Sequence, residues 1–321
     1  MNGTDDPLAE RLARAAFVVL DGALATELER RGFDLRDELW SARVLLERPD
    51  AVRAVHASYL AAGADVITTS SYQATPQGLA RRGLSAAQVR EVLERSVQLA
   101  CDARDEYWAS ADARRGRARP LIAASIGSYG AFLADGSEFR GDYALGEDEL
   151  VAFHRERVAI LAASPADVLA FETIPSWIEA RAIARVLGEF PAARAWISFS
   201  CRDERHIAHG ELLADCARFL EPCASLIAIG VNCAAPRLIA ALVRELAAVT
   251  RKPIVAYPNS GETWDARTRS WSGTADHVDF AREAATWLAA GARVIGGCCR
   301  TTPRDIADLR ALANARESTR G

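Results

Sequence analysis

Eight times along the chain, a short run of β-branched and other apolar residues is followed by a polar or glycine-containing turn and then by an Ala/Leu/Arg-rich stretch of helical period. The runs are FVVLDG (17–22), ADVITTSSY (64–72), PLIAASIG (120–127), DVLAFETIP (167–175), AWISFSC (195–201), LIAIGVNC (226–233), PIVAYPNSG (253–261) and RVIGGCC (293–299). Within these runs apolar and polar residues do not alternate strictly, so both faces of each strand are buried, as in a parallel sheet covered by helices. Eight β/α units in succession predict an α/β fold, a single eight-stranded parallel β/α (TIM-type) barrel, with residues 1–321 forming one domain. No linker rich in Pro, Gly or Ser interrupts the pattern, and hydrophobic residues make up 50% of the chain, ample for one large core. The longest departure from the repeat is GSYGAFLADGSEFRGDYALGEDEL (127–150), which follows the third run. A loop of that length in a compact domain is usually a lid or a binding loop, and here it falls on the face where strands end.

Charge narrows the class of partner. The chain carries 39 basic and 43 acidic residues, a net charge of −4, with the signs interspersed. That balance gives no footprint for nucleic acid or for an anionic membrane, which leaves small molecules as the expected partners. Nothing in the pattern sets the oligomeric state, and a monomer is compatible with it. No segment approaches the roughly 18–20 apolar residues that span a bilayer. The first residues, MNGTDDPLAERLARAAFVVLDG, are acidic at the front, and their apolar run stops at Asp21, a poor match to a signal peptide. A cytoplasmic location is therefore expected. The seven cysteines fit it: an odd number, spread over a long chain, reads as reduced thiols rather than a disulfide framework.

The unusual residues gather at strand ends. Cys233 ends the sixth run, Cys298 and Cys299 end the eighth, Glu172 ends the fourth and Asp21 the first. In a β/α barrel all of these face one mouth. Adjacent cysteines rarely bridge each other, because a disulfide wants Cα atoms roughly 4.4–6.8 Å apart without strain. Taken alone the pair suits packing or metal binding; Cys233 at the matching end of another strand favours a Cys₃ site for Zn²⁺ with a fourth position open. Gly296 and Gly297 leave the backbone free to turn two successive thiols toward one ion. A closed structural site would recruit four ligands, often from CxxC pairs, and the chain has no CxxC. Cys101, Cys201, Cys216 and Cys223 read as packing residues. Glu172, in an apolar context, needs either an arginine partner or a cationic group on a substrate. Beyond Asp21, the backbone N–H groups of Gly22, Ala23 and the residues that follow start a helix and can receive a carboxylate.

The segments LDGALATELERRG, SYQAT, GSYGAFLADGSEFRGDY, FETIP, GVNC, YPNSGE and GGCCRTTP, in that order over residues 17–303, resemble the successive motifs of the homocysteine S-methyltransferase family. The resemblance implies a zinc-dependent barrel that methylates homocysteine to methionine, with Cys233, Cys298 and Cys299 as ligands. It also implies that Glu172 and the Asp21 turn hold the amino-acid end of homocysteine and that Asn232 stands beside the metal. In the betaine-using branch a tyrosine follows the matching glutamate and touches zinc, where this chain has Thr173; that branch also has a long C-terminal arm, whereas this chain stops shortly after its last motif. There is no room for the folate and cobalamin modules of the cobalamin-dependent enzyme. The branch using a sulfonium donor, S-methylmethionine or S-adenosylmethionine, is the expected one, with GSYG here in place of its more usual GPYG.

The chemistry this implies is attack of a zinc-bound homocysteine sulfur on a sulfonium methyl. An aromatic pocket suits a donor whose charge disperses in the transition state, and Trp40, Tyr72, Tyr129 and Phe132 are candidates through cation–π contact, or else pack in the core. The histidines (56, 154, 206, 209 and 277) do not fall at the strand ends with the cysteines and read as surface or helix residues. The rival from another class is a zinc or thiol-redox sensor without turnover, which would have no use for Glu172, Asp21 and the long third loop at the same mouth.

Overall fold

The computed structural model describes residues 6–35, 41–265, 270–272 and 279–318. Eight parallel strands form the barrel: β1 (Val18–Val19), β2 (Val66–Thr68), β3 (Leu121–Gly127), β4 (Val168–Ile174), β5 (Ala195–Phe199), β6 (Leu226–Asn232), β7 (Ile254–Tyr257) and, after an antiparallel hairpin of β8 (Thr263–Asp265) and β9 (Ser270–Ser272), β10 (Ala292–Ile295). Around the barrel the order is β1-β10-β7-β6-β5-β4-β3-β2. The seam between β1 and β2 is closed by two backbone hydrogen bonds, Asp65 N–H to Val19 O (2.7 Å) and Asp21 N–H to Val66 O (3.0 Å). The expected β/α barrel is thus the observed one. Among the described residues no helix is long and apolar enough to cross a membrane.

The strands are shorter than the apolar runs that announce them, and the reason is visible at β1. Beyond Asp21 the backbone leaves the ladder, and the Asp21 side chain takes the place of a main-chain acceptor, receiving Thr68 N–H at 2.8 Å. The hairpin β8–β9 has no counterpart in the sequence reading, since three-residue strands carry too little alternation to be seen.

Two cores result. One lies inside the barrel, where Ala123, Ala170 and Ala228 leave room for the fully buried ring of Trp196. Its floor is the short helix Pro7–Leu12, capped by the Asp6 carboxylate, which puts Leu8 into the barrel interior. The other fills the shell between strands and helices. Helix limits follow local chemistry: Ser85 and Gln88 form a capping box ahead of Ala86–Ala109, and Gly63, at φ 106°, ends Pro49–Ala62.

That last helix contains an acid-sensitive group. His56 is fully buried, neither ring nitrogen has a hydrogen-bond partner among the described residues, and burial lowers its pKa to about 4. The unfolded chain takes up this proton near pH 6.5 and the folded chain refuses it until about 4, so stability falls as pH drops through that window and levels off below it. The gap corresponds to roughly 3 kcal/mol. His56→Leu should abolish this component: in denaturant melts at pH 7 and pH 4.5, the variant should lose less stability on acidification than the parent.

Candidate active site

All eight strands deliver their C-terminal ends to one mouth, and the three cysteines meet there. Cys233 follows β6, and Cys298 and Cys299 follow β10; their Sγ atoms all lie within 4.8 Å of one another. Three thiolates at about 2.3 Å from one tetrahedral ion would stand about 3.8 Å apart, so a modest contraction completes a Cys₃ metal site. Among the described residues this is the one group of three His, Cys, Asp or Glu side chains that could hold a metal ion. Packed so closely, the thiols do not ionise together. Cys298 is driven down because both neighbours donate to it, and Cys233 and Cys299 are driven up. A divalent cation is what would let all three lose their protons.

The chain fixes this geometry with backbone rather than with packing. Cys233 sits in the left-handed region at φ 49°, held by its N–H to Tyr257 O at 3.0 Å. The loop after β7 grips both halves of the cluster: Pro258 O receives Cys298 N–H (2.7 Å), Asn259 Nδ2 donates to Cys233 O (3.2 Å), and Ser260 N–H donates to Cys299 O (3.1 Å). Arg300, also left-handed at φ 70°, donates its N–H to Thr26 Oγ1 and clamps Glu262 through two guanidinium hydrogen bonds. Such conformations cost on the order of 1–3 kcal/mol each and persist where surroundings over-determine them.

Gly296 and Gly297 have a second role besides the turn. A Cβ at Gly296 would stand 2.6 Å from Asp21 O and 2.4 Å from Leu20 Cβ, and one at Gly297 would strike the buried Thr301 side chain at 2.1 Å. The glycines let β10 run against β1 at the point where Asp21 and the cysteines leave their strands. Gly296→Ala should therefore push the two apart, costing about 1–3 kcal/mol by overpacking. Expected readouts are a lower melting temperature and fewer tightly held metal ions per chain.

The cavity beside the thiols is lined by the turn Asp21–Ala25, by Thr68, Tyr72, Ser125 and Glu172, and by Thr173, Asn232 and Tyr257, among others. Both oxygens of Asp21 are engaged by Thr68, and burial together with the nearby Glu172 raises its pKa well above the usual range. Glu172 accepts from the Ser125 hydroxyl, and burial pushes it up to about 7. Two buried carboxyls in one cavity wall, with Glu172 helping to raise Asp21, are a receptor for a cation. Asn232 is saturated: Oδ1 accepts from Thr173 N–H and Ser198 Oγ, both at 2.8 Å, while Nδ2 donates to Thr173 Oγ1 (2.8 Å) and points at Cys298 Sγ (3.8 Å). This lock holds Thr173 at φ 59°, uncommon for a β-branched residue.

The loop after β3 folds over the mouth as a short helix, Tyr129–Leu133, and a turn of 3₁₀ helix, Ser137–Phe139, which brings Ala134, Glu138 and Phe139 into the cavity wall. Beneath it, buried Glu179 receives Tyr129 N–H (2.6 Å), the Tyr143 hydroxyl and His154 Nε2 (2.8 Å), tying both ends of the loop to the barrel.

Of the donor-pocket candidates, Tyr72 lines the cavity. Tyr129 and Phe132 instead stack on each other (5.5 Å between centroids) and on Phe153 beneath the loop, outside the cavity lining, and Trp40 lies outside the described residues. His56 and His154 are buried helix residues, His206 and His209 follow β5, and His277 lies outside the described residues. Cys101, Cys201, Cys216 and Cys223 pack in or against the outer core. Tyr257 and Glu138 were not singled out in the sequence. The first was visible only as the start of YPNSG, and the second is one acidic residue in a polar loop.

With this geometry in view, comparison with known proteins is specific. Residues 18–313 match the family model described as homocysteine S-methyltransferase. The chain is 50% identical over 314 residues to homocysteine S-methyltransferase YbgG of Bacillus subtilis, covering 98% of this chain and 100% of that protein. It is 45% identical over 312 residues to a selenocysteine Se-methyltransferase of Brassica oleracea, covering 94% and 90%. The crystal structure of the metallated form of homocysteine methyltransferase MmuM from Escherichia coli superposes with a TM-score of 0.86 at 45% identity, covering 95% of this chain and 99% of that one. The chain belongs to the homocysteine S-methyltransferase family.

Proposed function

We propose that the protein transfers a methyl group from a sulfonium donor, S-methylmethionine or S-adenosylmethionine, to the thiolate of L-homocysteine, forming methionine. The observation that carries this reading is the convergence of three thiols and two buried carboxyls on one cavity. Zn²⁺ bound by Cys233, Cys298 and Cys299 would supply a low pKa and a fixed position for the substrate sulfur.

The remaining work falls to the chain. Glu172, with Asp21 behind it, receives the ammonium of homocysteine, and the turn at Gly22 and Ala23 receives its carboxylate. Asn232 and Thr173 hold Cys298 and the wall beside it in register. Tyr72 offers a ring face to the donor, on which a positive charge is attracted without the tight pairing that would oppose charge dispersal. The loop after β3 covers the mouth and keeps water from the reacting atoms.

The test is methionine formation by the metal-loaded protein given homocysteine with S-methylmethionine, S-adenosylmethionine or betaine in parallel. Because one relative is named for selenocysteine, that acceptor belongs in the same series. Turnover with a sulfonium establishes the reaction and the donor; turnover with betaine alone assigns the chain to the other branch. A tightly held ion without turnover on any donor favours the redox sensor.

A further inference from the structure

A sulfonium donor of this kind is itself an amino acid, so two ammonium groups must be accommodated in one cavity at once. Asp21 senses Glu172, and Glu172 senses Cys298; these form the inner acidic site beside the thiols. Glu138 belongs to a separate place. It sits on the 3₁₀ turn of the loop after β3, lines the same cavity and, among the described residues, has charged neighbours only from its own loop, Asp135 and Arg140. Tyr72 lies between the two places: its hydroxyl meets Thr173, and it senses Glu138 on one side and Cys233 and Glu172 on the other.

The Glu138 carboxylate is incompletely satisfied. Its Oε2 is buried with no hydrogen-bond partner among the described residues. Arg140 does not supply one, because its guanidinium is spent on Asp142, Ser137 Oγ and Asp135 O. The position of Glu138 is nonetheless fixed, with its backbone carbonyl accepting from Ser200 Oγ at 2.7 Å and its N–H packed against Gly130, where no Cβ would fit. A buried, unpartnered carboxylate oxygen in a cavity wall is costly unless a ligand completes it.

We infer that Glu138 is a specificity-determining residue that binds the α-ammonium of the methyl donor. The inference rests on the reading that the donor is a sulfonium amino acid. Charge bookkeeping along the reaction selects the ammonium over the sulfonium. The sulfonium loses its charge as the methyl leaves, so a carboxylate against it holds the ground state more tightly than the transition state. The ammonium keeps its charge throughout, so a carboxylate there favours both equally and appears in KM rather than in kcat. Glu138 would also disfavour betaine, whose quaternary nitrogen has no N–H to donate.

The experiment compares parent and Glu138→Gln with two donors, S-methylmethionine and 4-dimethylsulfoniobutanoate, which is the same sulfonium without its ammonium. Turnover by the parent with S-methylmethionine is measured first and tests the proposed function by itself. With S-methylmethionine, Glu138→Gln should raise the donor KM about 10- to 100-fold while kcat and the homocysteine KM stay within about threefold. With the desamino donor, parent and variant should have the same KM. A variant that raises KM for both donors places Glu138 at the sulfonium and overturns the inference. So does a change confined to the homocysteine KM, or an unchanged donor KM in a parent that turns over. Unchanged homocysteine kinetics also show that the variant is folded.

Discussion

Cys298→Ser is expected to make methionine at least about a thousandfold more slowly than the parent, and to retain little metal after dialysis. Serine matches cysteine in shape but offers a hard, protonated oxygen where a soft anion is needed. Without a metal to acidify it, a substrate thiol with a reference pKa near 8.5 is only about one part in thirty ionised at pH 7, and the loss of a fixed sulfur position supplies the rest of the deficit. Cys233→Ser should behave alike, because the three sulfur atoms form one cluster. Cys223→Ser, at a half-buried cysteine outside the cavity, should keep both metal and rate. Metal content by elemental analysis, read beside the rate, separates loss of the ion from loss of the fold. Full turnover by Cys298→Ser would mean that the thiols do not activate the substrate.

The second large effect belongs to Glu172→Gln. Burial holds this carboxyl up to about 7, with hydroxyls of Ser125 and Tyr257 supporting its charged form. Glutamine preserves the shape and leaves no charge to meet an ammonium. Removing one side of a buried charge pair costs about 2–4 kcal/mol, or about 30- to 1000-fold. The loss should appear in kcat/KM for homocysteine, carried mainly by KM, with metal content and donor KM unaltered. An unchanged homocysteine KM would remove Glu172 from substrate binding. The contrast with Glu138→Gln, which should alter the donor KM instead, makes the two carboxylates tests of each other.

How far the sequence revealed this molecule depended on the scale of each feature. Each barrel strand lies inside or overlaps a run of apolar residues, because burial on both faces leaves a mark several residues long. The strand ends were less visible: RVIGGCC looks like one strand over 293–299, yet β10 stops at Ile295, and Gly296 and Gly297 follow it with single hydrogen bonds to Ala256 O and Asp21 O before the chain turns. The three cysteines were legible because strand ends in a barrel share a face, which turns positions in the sequence into neighbours in space. Glu138 was not, for the complementary reason. It lies in a long irregular loop, and only the folded path of that loop brings it over the cavity. Leu8 was hidden in a six-residue helix, too short to show periodicity, although it forms the floor of the barrel.

The cluster draws its ligands from β6 and from the chain beyond β10, with the β7 loop bonded to both. A growing polypeptide that has emerged only as far as β7 carries Cys233 alone at this place, a single soft ligand unable to compete with the cell's own metal buffers. Capture must wait until the final β/α unit has zipped onto the first. Metal uptake at this cluster would then report completion of the barrel, since a chain that ends before β10 lacks two of its three thiols.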